Sequence, residues 1–181
     1  LLPLSSPLQA QLAPVERQIV EHIDAHQEEA IDLLERLVNI NSGTMNPRGV
    51  RAVADLLAAE LQPLGFDVRW VPMPFPLQRA GHLIAERVGT RGKRLLLIGH
   101  LDTVFEEDSP FQTFERDGDL ARGPGVSDMK GGNVVIVQAL KALHEAGALD
   151  DVTVRVILTG DEENPGRPLD VARRDLIELA R

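Results

Sequence analysis

One pattern constrains the fold of this chain more than any other: two short apolar runs separated by an apolar segment at helical spacing. The runs are residues 94–98 (RLLLI) and 152–158 (VTVRVIL), and the segment between them covers residues 131–146. An apolar run without alternation is typical of a strand buried on both faces. A strand, a helix and a second strand in this order form a βαβ unit, whose two strands are parallel. The sequence therefore predicts an α/β fold, a three-layer sandwich with a mostly parallel central sheet.

Helical and strand patterns on either side of this unit extend the same arrangement. Apolar residues recur every three or four positions over 15–38, which predicts one amphipathic helix, and over 50–64, which predicts a second. The remaining predicted elements are strands at 66–70 and 83–88, a hairpin at 114–120 and a helix that starts at 169. Residues 1–14 hold three prolines and are predicted to be a loose lead-in. The polar segment 39–48 is a predicted break, and its residues 41–43 are interpreted as a plain turn.

Composition excludes several classes of function. The 181 residues are enough for one domain or for part of a larger one. A formal net charge of −9 argues against a surface for nucleic acid or anionic membrane, since both attract basic faces. The chain has no cysteine, which excludes thiolate metal ligands and thiol nucleophiles. It starts with Leu1, so we expect a processed or trimmed chain, and both a cytoplasmic and an exported location stay open.

Polar clusters follow both strands of the predicted βαβ unit, and a glycine-rich segment precedes its helix. These segments are GHLDT (99–103), TGDEE (159–163) and RGPGVSDMKGG (122–132). Ligands bind beyond the carboxyl ends of parallel strands, so we expect one imidazole and five carboxylates at one rim. They are His100, Asp102, Asp128, Asp161, Glu162 and Glu163. Carboxylates this close repel one another unless a cation lies among them, and histidine with carboxylates suits Zn²⁺ or another first-row divalent ion.

The chemistry of these residues suggests roles, and each role has a simpler alternative. Of the adjacent pair Glu162 and Glu163, one can bind metal while the other acts as a base for water. His100 and Asp102 fit a metal-bound imidazole that a carboxylate orients. Asp128 could instead cap the helix predicted over 131–146. Glu162 and Glu163 could be solvated residues in the first turn of a helix. A Ca²⁺ or Mg²⁺ site with oxygen ligands only would leave His100 unused. The other histidines (His22, His26, His82 and His144) are predicted to be structural or exposed.

The three polar segments together resemble the M20 metallopeptidase family. The matching strings are GHLDTV (99–104), GPGVSDMKGG (123–132) and TGDEE (159–163), and LVNINSGT (37–44) also matches. This resemblance implies the fold of a zinc-dependent exopeptidase and the activity of a two-metal aminohydrolase. It also implies two Zn²⁺ ions in a complete site, for which Co²⁺ or Mn²⁺ could substitute.

The resemblance also implies a role for each residue that matches the family's motifs. His100 would bind one metal ion, Asp128 would bridge both ions and Glu163 would bind the other. Asp102 would orient His100, and Glu162 would be the general base that activates water. The expected substrate is a small peptide or an N-acyl amino acid, cut at the amide by a carboxypeptidase-like reaction.

Three features of the family are not found in this sequence. Family members carry a further acidic ligand and a distal histidine beyond the position of Arg181, and they insert a smaller domain that often forms a homodimer. Residues 15–181 are therefore expected to be the N-terminal part of an M20-type catalytic domain. Because each metal ion would lack a ligand, a non-catalytic binding module is an alternative, as is an N-acyl-amino-acid deacylase of the same family.

Overall fold

The computed structural model describes residues 12–92 and 94–181. Its helices are α1 (Pro14–Ala25), α2 (Gln27–Val38), α3 (Pro47–Leu61), α4 (Lys130–Glu145), α5 (Leu169–Ala172) and α6 (Arg174–Leu179). Its strands are β1 (Asp67–Pro72), β2 (Gly81–Arg87), β3 (Arg94–His100), β4 (Glu115–Asp117), β5 (Leu120–Arg122) and β6 (Thr153–Thr159). Most of the predicted lead-in at 1–14 lies outside the described residues. None of the described helices has the length and apolar character needed to cross a lipid bilayer.

The central sheet has four strands in the order β1-β2-β6-β3. β3 and β6 pair in parallel through the crossover helix α4, which confirms the predicted βαβ unit. β2 pairs antiparallel with β1, since the short connection at 73–80 reverses the chain between them, and it also pairs antiparallel with β6. The α/β class is thus confirmed, but the sheet is mixed and only one of its three pairings is parallel, where a mostly parallel sheet was expected. β4 and β5 form a separate hairpin, as predicted.

Apolar side chains cover both faces of the sheet, as a three-layer arrangement requires. On one face, Leu83 and Val156 are buried with residues of α2, α3 and α4 in the main core. On the other face, Ile84 and Ile157 pack with Leu179 of α6. Alternate residues of β2 and β6 therefore contact opposite helical layers. This packing fixes the carboxyl ends of β3 and β6 next to the start of α4.

The predicted first helix is divided at His26. The His26 side chain contacts the carbonyl oxygen of His22 through Nδ1 at 2.7 Å, and the two imidazole rings stack with centroids 4.0 Å apart. The backbone of His26 leaves helical geometry, with φ of −115° and ψ of 22°, and α2 begins at the next residue. Both histidines are half-buried and contact each other, which fits the predicted structural or exposed positions.

β3 is less buried than its apolar sequence indicates. Leu95 and Ile98 are 46% and 54% exposed. The prediction that this strand is buried on both faces is wrong for the described residues, because β3 is at the edge of their sheet and pairs only with β6.

Candidate metal centre

The polar segments converge at the carboxyl ends of β3 and β6, as predicted. His100 is the last residue of β3 and lies beside Thr159, the last residue of β6. The buried Asn133 of α4 donates from Nδ2 to the His100 carbonyl oxygen at 2.7 Å. The start of α4 is thereby fixed against the end of β3.

His100 is buried between two carboxylates. Its Nδ1 is 3.0 Å from the Asp102 carbonyl oxygen and 3.4 Å from the Asp102 carboxylate, and its Nε2 is 2.9 Å from Asp128 Oδ1. Burial alone would lower the pKa of His100, but the hydrogen bonds that the imidazole donates to Asp102 and Asp128 outweigh it and raise the pKa to about 9. The imidazole therefore holds two protons at neutral pH when only these side chains surround it.

Asp102 joins the segments of the site. Its fully buried carboxylate accepts hydrogen bonds from Thr44 Oγ1 at 2.7 Å and from the backbone N–H groups of Glu162 and Glu163 at 3.0 and 3.1 Å. Burial would raise the pKa of Asp102, but the hydrogen bonds with His100, Thr44 and these N–H groups hold it below its usual value. Asp102 thus lies beside His100, and its role in orienting the imidazole stays a prediction.

Thr44 was missed by the sequence reasoning, which interpreted residues 41–43 as a plain turn. Gly43 forms a parallel bridge with Thr103, whose N–H donates to the Ser42 carbonyl oxygen at 2.9 Å. The Thr44 N–H in turn donates to the Thr103 carbonyl oxygen at 3.2 Å. The signal that could have identified Thr44 is its place in LVNINSGT, one of the strings that carry the family resemblance.

Asp128 belongs to the loop that precedes α4. Gly125 has φ of +77°, a conformation that glycine adopts without steric cost, and its carbonyl oxygen accepts from the Lys130 N–H at 2.7 Å. No side chain caps the start of α4, so the capping alternative for Asp128 is wrong. The Asp128 carboxylate is instead 76% exposed and contacts His100.

Lys130 is fully buried, and its ammonium group donates to the Ile40 carbonyl oxygen at 2.8 Å. Burial lowers the pKa of Lys130 to about 8. The side chain therefore connects the start of α4 to the segment that carries Thr44.

Glu162 and Glu163 complete the group of possible ligands. One ligand atom from each, together with one nitrogen of His100, lies within 4.8 Å of the others. Burial raises the pKa of Glu163; His100 opposes this, while the nearby Asp128, Asp102 and Glu162 charges add to it. This repulsion among carboxylates, with an imidazole facing them, fits a divalent cation.

Asp161 is the one predicted rim carboxylate that points elsewhere. It is fully buried, and its Oδ1 accepts from Arg173 Nη1 at 2.6 Å while Oδ2 accepts from the Gly166 N–H at 2.9 Å. The prediction that five carboxylates share one rim is therefore corrected to four. Asp161 stabilises the segment that leads from β6 to α5.

The chain is similar to known proteins over most of its length. The model for peptidase family M20/M25/M40 matches residues 96–179, which include the His100, Asp128 and Glu163 segments. Carboxypeptidase G2 from Pseudomonas sp. (strain RS-16) is 38% identical over 161 residues, which cover 84% of this chain and 36% of that protein. The chain belongs to the M20 peptidase family. A succinyl-diaminopimelate desuccinylase from Novosphingobium aromaticivorans is 38% identical over 80% of this chain and 38% of that protein.

Solved structures place the M20 chain in the same fold. Human carnosine dipeptidase 1 has a TM-score of 0.74 at 25% identity, with coverage of 90% of this chain and 37% of the other. The di-peptidase Dug1p from Saccharomyces cerevisiae has the same TM-score at 18% identity, which supports the fold alone. The M20 chain thus spans little more than a third of the length of these relatives.

A first prediction concerns the proton on His100 in the metal-free M20 chain. Because the pKa of His100 is raised to about 9, the imidazole stays doubly protonated at pH 7.5 and loses a proton near pH 9. The ¹⁵N chemical shifts of the ring, followed from pH 5 to 10, measure this step. Titration near the ordinary value of about 6.5 would contradict the ion-pair geometry. Metal affinity should rise with pH over the same range, because a metal ligand must be neutral imidazole.

Proposed function

We propose that the complete protein is a metal-dependent hydrolase that cleaves a C-terminal peptide or N-acyl amide bond in the manner of a carboxypeptidase. The observation that carries this proposal is the His100 imidazole, which is fixed by Asp102 on one side and faces Asp128, Glu162 and Glu163 on the other. The name of the relative carboxypeptidase G2 supports the carboxypeptidase assignment.

His100, Asp128 and Glu163 would hold the metal, for which we propose two Zn²⁺ ions with Co²⁺ or Mn²⁺ as substitutes. When bound, such ions polarise the amide carbonyl and make water more acidic. Asp102 keeps the imidazole of His100 in position through Nδ1. Asp128 and Glu163 would supply carboxylate oxygens from the loops before α4 and after β6, so the ligands come from separate segments.

Glu162 is the proposed general base. Among the described residues its carboxylate takes part in no hydrogen bond or ion pair, and its side chain is exposed. In the proposed reaction a Glu162 carboxylate oxygen takes a proton from the attacking water. It then delivers that proton to the amide nitrogen as the C–N bond breaks, so the products are a carboxylate and an amine.

Removal of metal tests the proposal directly. Hydrolysis of a panel of peptides and N-acyl amino acids by the complete protein should fall at least ~100-fold after dialysis against a chelator. Added Zn²⁺ or Co²⁺ should restore the rate. Activity that survives the chelator with no measurable metal would rule out this mechanism.

An N-acyl-amino-acid deacylase is the second candidate. The desuccinylase relatives favour it, since their names describe removal of a succinyl group. The same panel separates the two functions: a deacylase prefers N-succinyl or N-acetyl amino acids, whereas a carboxypeptidase prefers dipeptides and longer peptides with a free C-terminal carboxylate.

A further inference from the structure

A cavity of about 420 Å³ opens beside the candidate metal centre. Asp128 and Glu163 line one part of it, and Val104, Phe105 and Phe111 line another. Pockets for small molecules commonly measure about 300–1,000 Å³, so this one has room for a sizeable group. Because the cavity shares two carboxylates with the metal centre, a group that fills it lies next to the reacting bond.

The apolar part of the cavity belongs to the aromatic loop, which we define as residues 104–112. Phe105 and Phe111 meet edge to face, with ring centroids 5.0 Å apart and planes at 63°. Phe111 is 40% exposed and Val104 is 62% exposed, although both are apolar. Exposed apolar side chains that are contiguous with a polar site are typical of ligand contact.

Polar side chains fix the aromatic loop in place. Asn41 donates from Nδ2 to the Phe105 carbonyl oxygen at 3.0 Å and to Gln112 Oε1 at 2.8 Å. Gln112 donates from Nε2 to the carbonyl oxygens of Glu106 at 2.8 Å and Ser109 at 2.9 Å. A loop held by this network loses little conformational freedom when a ligand binds, which favours affinity.

The charged side chains of the cavity lining have both signs. Arg122 lines the cavity together with the carboxylates of Asp128 and Glu163. A cationic group would be repelled by Arg122 and an anionic group by the two carboxylates, whereas a neutral apolar group avoids both repulsions.

We propose that this cavity holds an aromatic or branched aliphatic substituent of the substrate, adjacent to the scissile amide, with Phe105 and Phe111 as its apolar wall. The inference rests on the proposed amide hydrolysis, because Asp128 and Glu163 belong both to the cavity lining and to the proposed site of that reaction. It makes Phe111 a specificity residue. The substituent belongs to either the acyl side or the amine side of the amide, and substrates that differ on one side only distinguish these two positions.

The test compares N-acetyl-alanine with N-benzoyl-alanine, which changes the acyl side, and with N-acetyl-phenylalanine, which changes the amine side. We expect the complete protein to prefer one of the aromatic compounds in kcat/KM. In Phe111→Ala that preference should fall about tenfold or more, mainly through KM, and Phe111→Leu should retain part of it. Phe75→Ala is the matched control, because Phe75 is 89% exposed and lies outside the cavity lining. This variant should keep the parent protein's preference for the aromatic compound.

A binding measurement separates failure of this inference from failure of the proposed function. Saturation-transfer NMR of the same compounds reports contact of the aromatic ring with the protein whether or not hydrolysis occurs. If no compound is hydrolysed but ring contact depends on Phe111, the proposed function fails and the cavity assignment stands. If hydrolysis is chelator-sensitive but the preference is equal in the parent protein and Phe111→Ala, the cavity assignment is overturned.

Discussion

Glu162→Gln is expected to lower kcat of the complete protein about 100- to 10,000-fold while leaving its metal content nearly unchanged. The amide of glutamine has the shape of the glutamate side chain, but it cannot accept a proton from water at neutral pH. The exposed position of Glu162 at the carboxyl end of β6 leaves its carboxylate available to water and substrate. Steady-state kinetics on the best substrate of the panel, with metal analysis of the same sample, measure both quantities.

Glu163→Gln is the matched control, since it makes the same substitution at the next residue. This variant should lose metal as well as activity, because a neutral amide is a weaker ligand than a carboxylate. Both glutamates lie within 4.8 Å of a His100 nitrogen, so distance alone does not assign their roles. If Glu162→Gln loses metal and Glu163→Gln retains it, the roles of base and ligand are reversed.

The elements that sequence periodicity predicted best are those whose local pattern and tertiary packing agree. The βαβ unit formed by β3, α4 and β6 is one example, because its apolar runs and its crossover helix have a single compact arrangement. The end of the second predicted helix at residue 64 is another, since the turn that follows α3 ends at Leu64 and Gly65 then adopts φ of +81°. Motif order likewise predicted that His100, Asp128 and Glu163 come from three segments near one rim.

The features that sequence reasoning missed depend on contacts between distant residues. Asp161 is adjacent to Glu162 in sequence, yet Arg173 and the Gly166 N–H hold its carboxylate away from the rim. Thr44 reaches Asp102 across 58 positions of sequence, and nothing local to a Ser-Gly-Thr turn predicts that hydrogen bond. Long-range side-chain partners such as these are set by the fold and not by periodicity.

Asp102→Asn is expected to weaken metal binding about 10- to 100-fold and to destabilise the metal-free protein by about 3–5 kcal/mol. The carboxylate of Asp102 accepts from Thr44 and from two backbone N–H groups while facing His100. An asparagine presents an NH₂ group to at least one of these donors and removes the charge that pairs with the imidazolium. The pKa of His100 should fall accordingly, and the imidazole should lose its fixed orientation. Competition titration with a chromophoric chelator gives the affinity, and urea unfolding in excess chelator gives the stability.

Asp161→Asn is the control variant that separates an effect on metal affinity from a general loss of stability. Asp161 is as fully buried as Asp102 and also carries a charged partner, Arg173, but it points away from His100. Asp161→Asn should therefore destabilise the protein, because Arg173 and the Gly166 N–H lose their charged acceptor. Its metal affinity should stay within about twofold of that of the parent protein. Equal losses of affinity in Asp102→Asn and Asp161→Asn would mean that metal binding responds to general destabilisation of the loop after β6. A loss confined to Asp102→Asn would mean that the buried carboxylate acts on the metal centre through His100 and through the N–H groups of the two glutamates.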